Sequence, residues 1–469
     1  AFAAPKDIPT SVAEASGAAA KAGAYISNKR GHMEEVKKDE IDVEGQEPRI
    51  GVFVCDCGIN IKGTVDVPKV VDYAKTLPNV VFAEENKYSC SADTQGKITE
   101  TIKREKLNRV VVASCTPRTH EPLFQSTLKE AGLNPYLFEM ANIRDQCSWI
   151  HMGEPEKATQ KAKDLVRMAV AKARLLEPLY ESKLPVTHSS VVIGGGISGM
   201  TAALDMAAQG YHVDLLERTA ELGGNAMKIY HEEDGRKVRD FAKEMITRVR
   251  NNKNITVHLN TEVKDVSGFV GNFKVKTSDG AELETGSIVV AVGAEEYKPK
   301  EFLYGQDKRV VTQLELEEQM QKGPVAAKQI AMIQCVGSRN AEAPYCSRVC
   351  CANAIKNAIS VKKANPKADV YVFHKDIRTY GFREDLYKEA GQVGVRFVRV
   401  PEDKPPVVTK EGNDLKLVAS DTILGEDIML RPDLVVLSTG IRPHADNEDL
   451  AKMLKVPLSK DKYFLEAHM

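Results

Sequence analysis

The sequence predicts an α/β chain, with a small parallel α/β unit followed by a larger two-part α/β fold. Three observations predict it. Between Pro48 and Gly153, short β-branched runs alternate with helical patterns, as in a largely parallel sheet. Ser189 to Leu216 reads as strand, glycine turn, helix and strand. A further strand–helix alternation runs from Lys328 to about Ile428. At 469 residues the chain exceeds one ordinary core, so about three domains are expected.

Composition narrows the function classes. With 42% apolar and 28% charged residues, this is the make-up of a soluble globular protein. A net charge of -1 gives no electrostatic case for nucleic acid or an anionic membrane as a partner. No apolar run approaches the roughly 20 residues of a spanning helix, and no membrane insertion is expected. Nine cysteines, clustered and odd in number, argue against a secreted disulfide framework and for metal or redox chemistry in a reducing cytoplasm.

The elements follow in order. Pro5 to Pro9 is a turn, and the alanine-rich Val12–Ala24 favours a helix. Residues 31–47 have the charged, aperiodic composition of a linker. Strands are predicted at Arg49–Cys55, Val80–Ala83, Arg109–Ala113 and Pro135–Met140, with helices at Pro68–Thr76, Gln95–Glu105 and Glu121–Ala131. Glu154 to Leu176 is a long polar-and-alanine helix, expected to lie across the next domain as a connector. After the βαβ unit, Ile255–Val263, Phe273–Thr277 and Ile288–Val292 look antiparallel, and Leu434–Thr439 is expected to return to the first sheet.

In Ile193-Gly194-Gly195-Gly196-Ile197-Ser198-Gly199, Gly194 permits a tight turn and Gly196 lets the backbone approach a pyrophosphate. Gly199 lets the helix pack closely, and the helix N-terminus supplies a positive field. Glu217 closes the next strand where a ribose-binding carboxylate belongs. The continuation Glu217-Arg218-Thr219-Ala220-Glu221-Leu222-Gly223-Gly224 is the pattern of two-domain flavoproteins of the thioredoxin reductase kind. So are the crossover segments Val289–Ala294 and Leu437–Pro443. The cofactor expected is FAD, held by Gly194, Gly196, Ile197, Ser198, Gly199, Glu217, Arg218, Gly223, Gly224, Asn225, Val263, Ala291, Gly293, Thr439 and Gly440.

Where a nicotinamide-binding loop should follow, Gln329-Ile330-Ala331-Met332-Ile333-Gln334 runs instead into Cys335-Val336-Gly337-Ser338, with no glycine fingerprint. Cys335, Cys346, Cys350 and Cys351 supply the four thiolates of a [4Fe–4S] cluster. A tetrahedral zinc site could use the same count, although adjacent cysteines suit it poorly. A second set is Cys55, Cys57, Cys90, Cys115 and Cys147, five thiols for four positions. The sequence does not say whether the spectator is Cys55, Cys57 or Cys147. Arg118 and His120 could tune that cluster or cap the local helix. Trp149 reads as core, and Arg378-Thr379-Tyr380-Gly381 as either a functional loop or a plain turn.

Together these segments resemble the heterodisulfide reductase A-type (HdrA-like) iron–sulfur flavoprotein family of methanogens and other anaerobes. The resemblance rests on Gly51–Gly58, Val111–Arg118, Met140–Trp149, the glycine loop, Gln334–Arg339, Tyr345–Cys351 and Asp376–Gly381, and covers residues 48–469. It implies an oxidoreductase with FAD and two [4Fe–4S] clusters that splits or merges electron pairs. The electrons would pass between a disulfide, a low-potential ferredoxin and a hydrogenase- or formate dehydrogenase-type donor, within a larger complex and as a homo-oligomer. A quinone-interacting complex and a non-catalytic electron wire are the competing readings. A simple NAD(P)H disulfide reductase would need a nicotinamide loop and a paired redox disulfide beside the flavin.

The family's cysteine-rich insert is absent between Asn225 and Phe241, and its closing proline-lysine-aspartate-isoleucine turn appears at the start, as Pro5-Lys6-Asp7-Ile8. The chain is therefore expected to be a piece of a longer or tandem polypeptide. Alternatively, the N-terminal segment folds back or swaps between copies, placing Asp7 and Ile8 at the flavin. The implied division is a closing segment (1–30), a linker (31–47), an iron–sulfur domain (48–153), a connector (154–186), the first part of the FAD domain (187–327), an inserted cluster domain (328–430) and an FAD-domain return segment (431–469).

Overall fold

In a computed structural model the chain folds as two compact units, Gly31–Leu184 and Ala1–Arg30 with Pro185–Met469. The structure describes residues 8–29 and 39–465. Helix α1 (Ile8–Tyr25) opens the chain and belongs to the larger unit.

The smaller unit is a four-stranded parallel sheet of β1 (Ile50–Asp56), β2 (Val80–Lys87), β3 (Arg109–Ser114) and β4 (Phe138–Asn142), in the order β2-β1-β3-β4. Helices α2 (Val67–Lys75), α3 (Ala92–Arg104), α4 (Pro117–Ala131) and α5 (Pro155–Ala173) cover it. Strand β1 is buried on both faces, which is why it reads as a continuous apolar run. Its alternate residues serve two cores. Val52 and Val54 pack with α2 and α5, whereas Phe53 packs with α3 and α4.

Two expectations change here. Helix α5 is no connector across the next domain, because Ala158, Ala162, Val166, Ala169 and Val170 are buried in this unit's own core. Its alanine stripe is what lets the helix lie close on the sheet. Nor are residues 39–47 a free linker. Val43 is buried in the Phe53 core, Ile41 N donates to the Gly132 carbonyl (2.7 Å), and Asn108 Nδ2 donates to the Glu47 carbonyl (2.9 Å). Their charged composition reflects an exposed strap held by backbone hydrogen bonds.

The larger unit carries two parallel sheets. The first has the order β11-β5-β6-β7, from β5 (Ser189–Ile193), β6 (His212–Glu217), β7 (Ile255–Leu259) and β11 (Ser287–Val290). Helices α6 (Ile197–Ala208) and α7 (Val238–Arg250) connect its strands. An antiparallel sheet of β8 (Val263–Phe269), β9 (Asn272–Thr277) and β10 (Glu282–Thr285) packs Val275 against Val191 and Leu216. Of the three stretches expected to be antiparallel, only Phe273–Thr277 is wholly so. Ile255–Val263 divides into parallel β7 and the start of β8, and Ile288–Val292 contributes the parallel β11. Alternating burial looks alike in both senses, and the helical crossover α7 fixes β7 as parallel.

The second sheet has the order β13-β20-β14-β15-β16. Its strands are β13 (Val310–Thr312), β14 (Gln329–Val336), β15 (Asp369–His374), β16 (Val395–Arg399) and β20 (Leu434–Thr439). Helices α8 (Gln313–Gln321), α9 (Cys350–Ala364) and α10 (Arg383–Gln392) flank it, with the antiparallel β17 (Val407–Glu411), β18 (Asp414–Ser420) and β19 (Asp427–Leu430). Leu434–Thr439 thus does not return to the first sheet, since β20 is seated between β13 and β14. One step later, β21 (Ile441–Arg442) pairs with β12 (Glu295–Glu296) in a separate two-stranded sheet. Helix α11 (Asn447–Leu454) follows.

Candidate functional site

The glycine loop forms one wall of a cavity of about 1180 Å³. Gly194 has φ +112°, and a Cβ there would meet the Ala291 carbonyl oxygen at 2.4 Å. A Cβ on Gly199 would lie 1.8 Å from the Gly194 oxygen, so α6 can start here only without a side chain. Gly196 is different. A Cβ there would meet nothing within 4 Å, and the residue lines the cavity with Ile197 and Ser198 at the N-terminus of α6. That open backbone with a helix N-terminus behind it fits a pyrophosphate.

Glu217 is buried at the end of β6. One carboxylate oxygen accepts from Gly195 N (2.8 Å), the other from the backbone and hydroxyl of Thr219 (2.8 Å each). The acid therefore braces the loop it helps to line. Gly223 N donates to the Gly195 carbonyl (2.8 Å), and Asn225 Nδ2 donates to the Ala294 carbonyl (2.8 Å). Arg218, Gly224, Asn225, Val263, Ala291 and Gly293 also line the cavity, whereas Gly199, Gly223, Thr439 and Gly440 are not among its lining residues. Asp7 lies outside the described residues, and Ile8 is the first residue of α1. Helix α1 packs on α6, with Gly23 making room for Gln209 beyond the end of α6 opposite the glycine loop.

Sequence reasoning missed the far wall. Glu315 and Glu318 of α8, Asp449 and Met453 of α11, and the stacked pair Tyr230–Arg239 (guanidinium carbon 3.7 Å from the ring centroid) all face the cavity. A capping box at Thr312 and Glu315 was legible as a helix start. That this helix opens onto the cavity depends on tertiary packing alone.

Cys335, Cys346, Cys350 and Cys351 ring a single small void, with Arg339, Arg348, Asp376 and Arg378 around them. Among the described residues no three His, Cys, Asp or Glu side chains converge as the ligands of one ion would. Cys335 lies in the irregular last part of β14 at φ +61°, a left-handed conformation rare for a residue with a side chain. Cys350 and Cys351 occupy the first turn of α9, where the helix field favours a thiolate. Burial foremost, then the neighbouring thiols, pushes Cys335 up to about 11 and raises Cys350 well above the usual thiol range. Burial also raises Cys351. Clustered thiols, with Cys350 and Cys351 buried and Cys335 and Cys346 half-buried, hold thiolates only when bound cations compensate them, which is the donor set an iron–sulfur cluster takes. Asp376 pairs with both Arg339 and Arg378, so the loop Arg378–Gly381 opens on a residue of this site.

In the smaller unit, Cys55, Cys57, Cys90 and Cys115 sit at or beyond the C-terminal ends of β1, β2 and β3. Burial raises Cys55, with Cys57 and Cys90 adding to the shift; burial also raises Cys115, with Cys90 adding and Arg144 opposing. Cys147 stands apart. Its thiol donates to the Ala158 carbonyl (3.1 Å) inside the core, and burial pushes it up to about 11 with no other thiol contributing. Asn142 Nδ2 and Arg144 Nε are buried donors without a protein partner near this edge, which fits a further group there. Arg144, which sequence reasoning passed over, is a cation that opposes the rise at Cys115. Trp149 is not core: it is about half exposed, with the Arg144 guanidinium 4.9 Å from its ring centroid.

Comparison with known proteins decides the family. One of the CoB–CoM heterodisulfide reductase iron-sulfur subunits of Methanopyrus kandleri, the form designated A 2, is 38% identical over 90% of this chain and 79% of its own length. The A-type component of the H2:CoB-CoM heterodisulfide,ferredoxin reductase of Methanothermobacter thermautotrophicus is 37% identical over 93% and 80%. The chain belongs to the heterodisulfide reductase A family. Residues 154–321 of this family member also match the pyridine nucleotide-disulphide oxidoreductase family. Lactococcus lactis thioredoxin reductase superimposes with a TM-score of 0.44 at 19% identity, over 60% of this chain and 86% of its own. As a heterodisulfide reductase A-family protein, the chain is an oxidoreductase flavoprotein, and among its described residues no helix is long and apolar enough to cross a membrane.

Proposed function

We propose that this chain is the FAD- and [4Fe–4S]-dependent electron-transfer component of a heterodisulfide reductase-like complex. One observation carries the reading: the four cysteines at 335–351 ring one void where a nicotinamide site would otherwise stand, in the same unit as a cavity built for a dinucleotide. FAD bound there supplies a centre that exchanges electrons in pairs or singly. The chain's own part is to seat the pyrophosphate at Gly196 and the α6 N-terminus, with Glu217 holding the loop in shape. Cys335, Cys346, Cys350 and Cys351 hold one cluster, with arginines nearby to offset its charge. Cys55, Cys57, Cys90 and Cys115 hold a second, and Cys147 is the spectator.

With a cluster beside the flavin and another in the smaller unit, the protein splits or merges electron pairs between a disulfide, a low-potential ferredoxin and a donor of the hydrogenase or formate dehydrogenase type. Its methanogen relatives carry heterodisulfide and ferredoxin in their names, which supports that partner set. Iron, acid-labile sulfide and flavin content per chain, with EPR of the reduced protein, tests the reading. Two clusters and one FAD are expected. Zinc in place of iron, or rapid bleaching of the flavin by NADH alone, would overturn it.

A further inference from the structure

Between the two candidate centres of the larger unit runs the segment Thr439–Arg442, with β12 beside it on the cavity side. On the cysteine side, Gly440 N donates to the Val336 carbonyl (2.7 Å), and Ile441 N donates to Ser347 Oγ (2.9 Å). The Cys350 sulfur lies 3.3 Å from the Thr439 carbonyl oxygen. Both cysteine-bearing segments are therefore fastened to residues 439–441. On the cavity side, the same segment pairs through β21 with β12, whose Glu295 and Glu296 line the flavin cavity. Tyr297 N donates to the Gly440 carbonyl (2.9 Å), and Thr439 Oγ1 donates to Glu296 Oε1 (3.0 Å). Tyr345 and Tyr463 brace the strand from a third direction, each hydroxyl donating to the Ile441 carbonyl (2.9 and 3.0 Å).

The packing leaves this segment no slack. A Cβ on Gly440 would meet Ser338 Cβ at 2.9 Å and Ser347 Oγ at 3.1 Å, residues three after Cys335 and directly after Cys346. On the same path, the Tyr297 ring fills the place where Gly337, at φ +71°, would carry a side chain. Two glycines and one tyrosine thus bring the cysteine loops against the cavity wall as closely as backbone permits. A structural turn has no need of such contact on both sides.

We propose that Thr439–Arg442 is the electron path between the cysteine site and the flavin cavity, and that Gly440 is its positioning residue, setting the separation. The inference rests on the proposed function, in which the cavity takes FAD and the cysteines take a cluster. In the step, one electron leaves the reduced flavin and one cluster iron is reduced from the ferric to the ferrous state; an external donor supplies the flavin's electrons.

The test is Gly440→Ala in the full chain, with iron and flavin counted in wild type and variant. A light flash with EDTA as electron donor reduces the bound flavin, and flavin and cluster absorbance are followed in time. The expected result is a lag between flavin reduction and cluster bleaching that wild type lacks, with both midpoint potentials unchanged. Adding Ser338→Gly, which removes the nearer atom met by the new methyl, shortens the lag again. Where Gly440→Ala does not retain both centres, Ser347→Ala, which only releases Ile441 N, is expected to give a smaller lag. A variant that keeps both centres and transfers in step with wild type overturns the inference alone. A wild-type protein that holds flavin without iron overturns the proposed function, and this inference with it.

Discussion

Lys356 and Glu317 form the tie whose loss should be felt most widely. Glu317, on α8, is fully buried, and Lys356, two turns into α9 from the paired cysteines, is nearly so. The ammonium donates to Glu317 Oε1 (2.7 Å) and to the His231 carbonyl (2.9 Å), while Glu317 Oε2 accepts from Tyr230 N (3.1 Å). One ion pair thus joins the cysteine helix, the helix facing the flavin cavity and the loop carrying Tyr230. Lys356→Met removes both donated bonds and leaves a carboxylate in the core with a single backbone donor. Breaking a buried pair in this way costs about 3–5 kcal/mol. At about 2–4 °C per kcal/mol in the larger domains, the melting temperature should fall by roughly 6–20 °C. Lys356→Met with Glu317→Leu removes both charges and should recover most of the loss. Calorimetry of wild type, the single variant and the double variant reads this directly. If the double variant is as unstable as the single one, the pair is not what holds these elements together.

Cys147→Ser should leave the iron content of the smaller unit intact, while Cys115→Ser should remove about one cluster's worth, read by iron analysis of each variant. Gly199→Val should abolish flavin binding, since even a Cβ overlaps the Gly194 oxygen; flavin absorbance after purification checks it. In iron-free protein, alkylation of Cys335 should be slow at neutral pH and rise about tenfold per pH unit towards 11, because only the thiolate reacts; mass spectrometry of labelled peptides gives the rate. Asp307→Asn should destabilise by about 1 kcal/mol at pH 7. Arg309 holds Asp307 well below the usual carboxylate range, so that stability is present above the unfolded carboxylate pKa and lost as pH falls through the acid range. Wild-type and variant melting temperatures should therefore converge on acidification.

What was legible in the sequence was local. The βαβ unit, the three glycines with three different reasons, and both cysteine groupings follow from residue type and spacing over short stretches. The misplaced pieces were those whose position depends on what they pack against. The alanine stripe of α5 suits a connector or a core helix equally, and only burial in the smaller unit decides. Leu434–Thr439 looks like any buried strand, and its seat between β13 and β14 is a long-range pairing. The proposed spectator among the five thiols was hidden for the same reason. Cys147 is recognisable only from its bond to Ala158, eleven residues on.

The backbone elements that carry the cysteine site are those a dinucleotide site would also use. A dinucleotide needs the C-terminal end of a parallel strand, a turn that brings backbone close, and a helix N-terminus aimed at negative charge. Here β14 supplies the strand end, and the left-handed Cys335 with Gly337 supplies the turn. Helix α9 supplies the N-terminus, with Cys350 and Cys351 in its first turn. The field that would favour a pyrophosphate now favours thiolates, and the crowding that would press backbone against phosphate presses the cysteine loops against Gly440. The cysteine loops are joined to the flavin cavity through β21 and β12. On the proposed function, a site that would take electrons singly stands where a nicotinamide would deliver them in pairs.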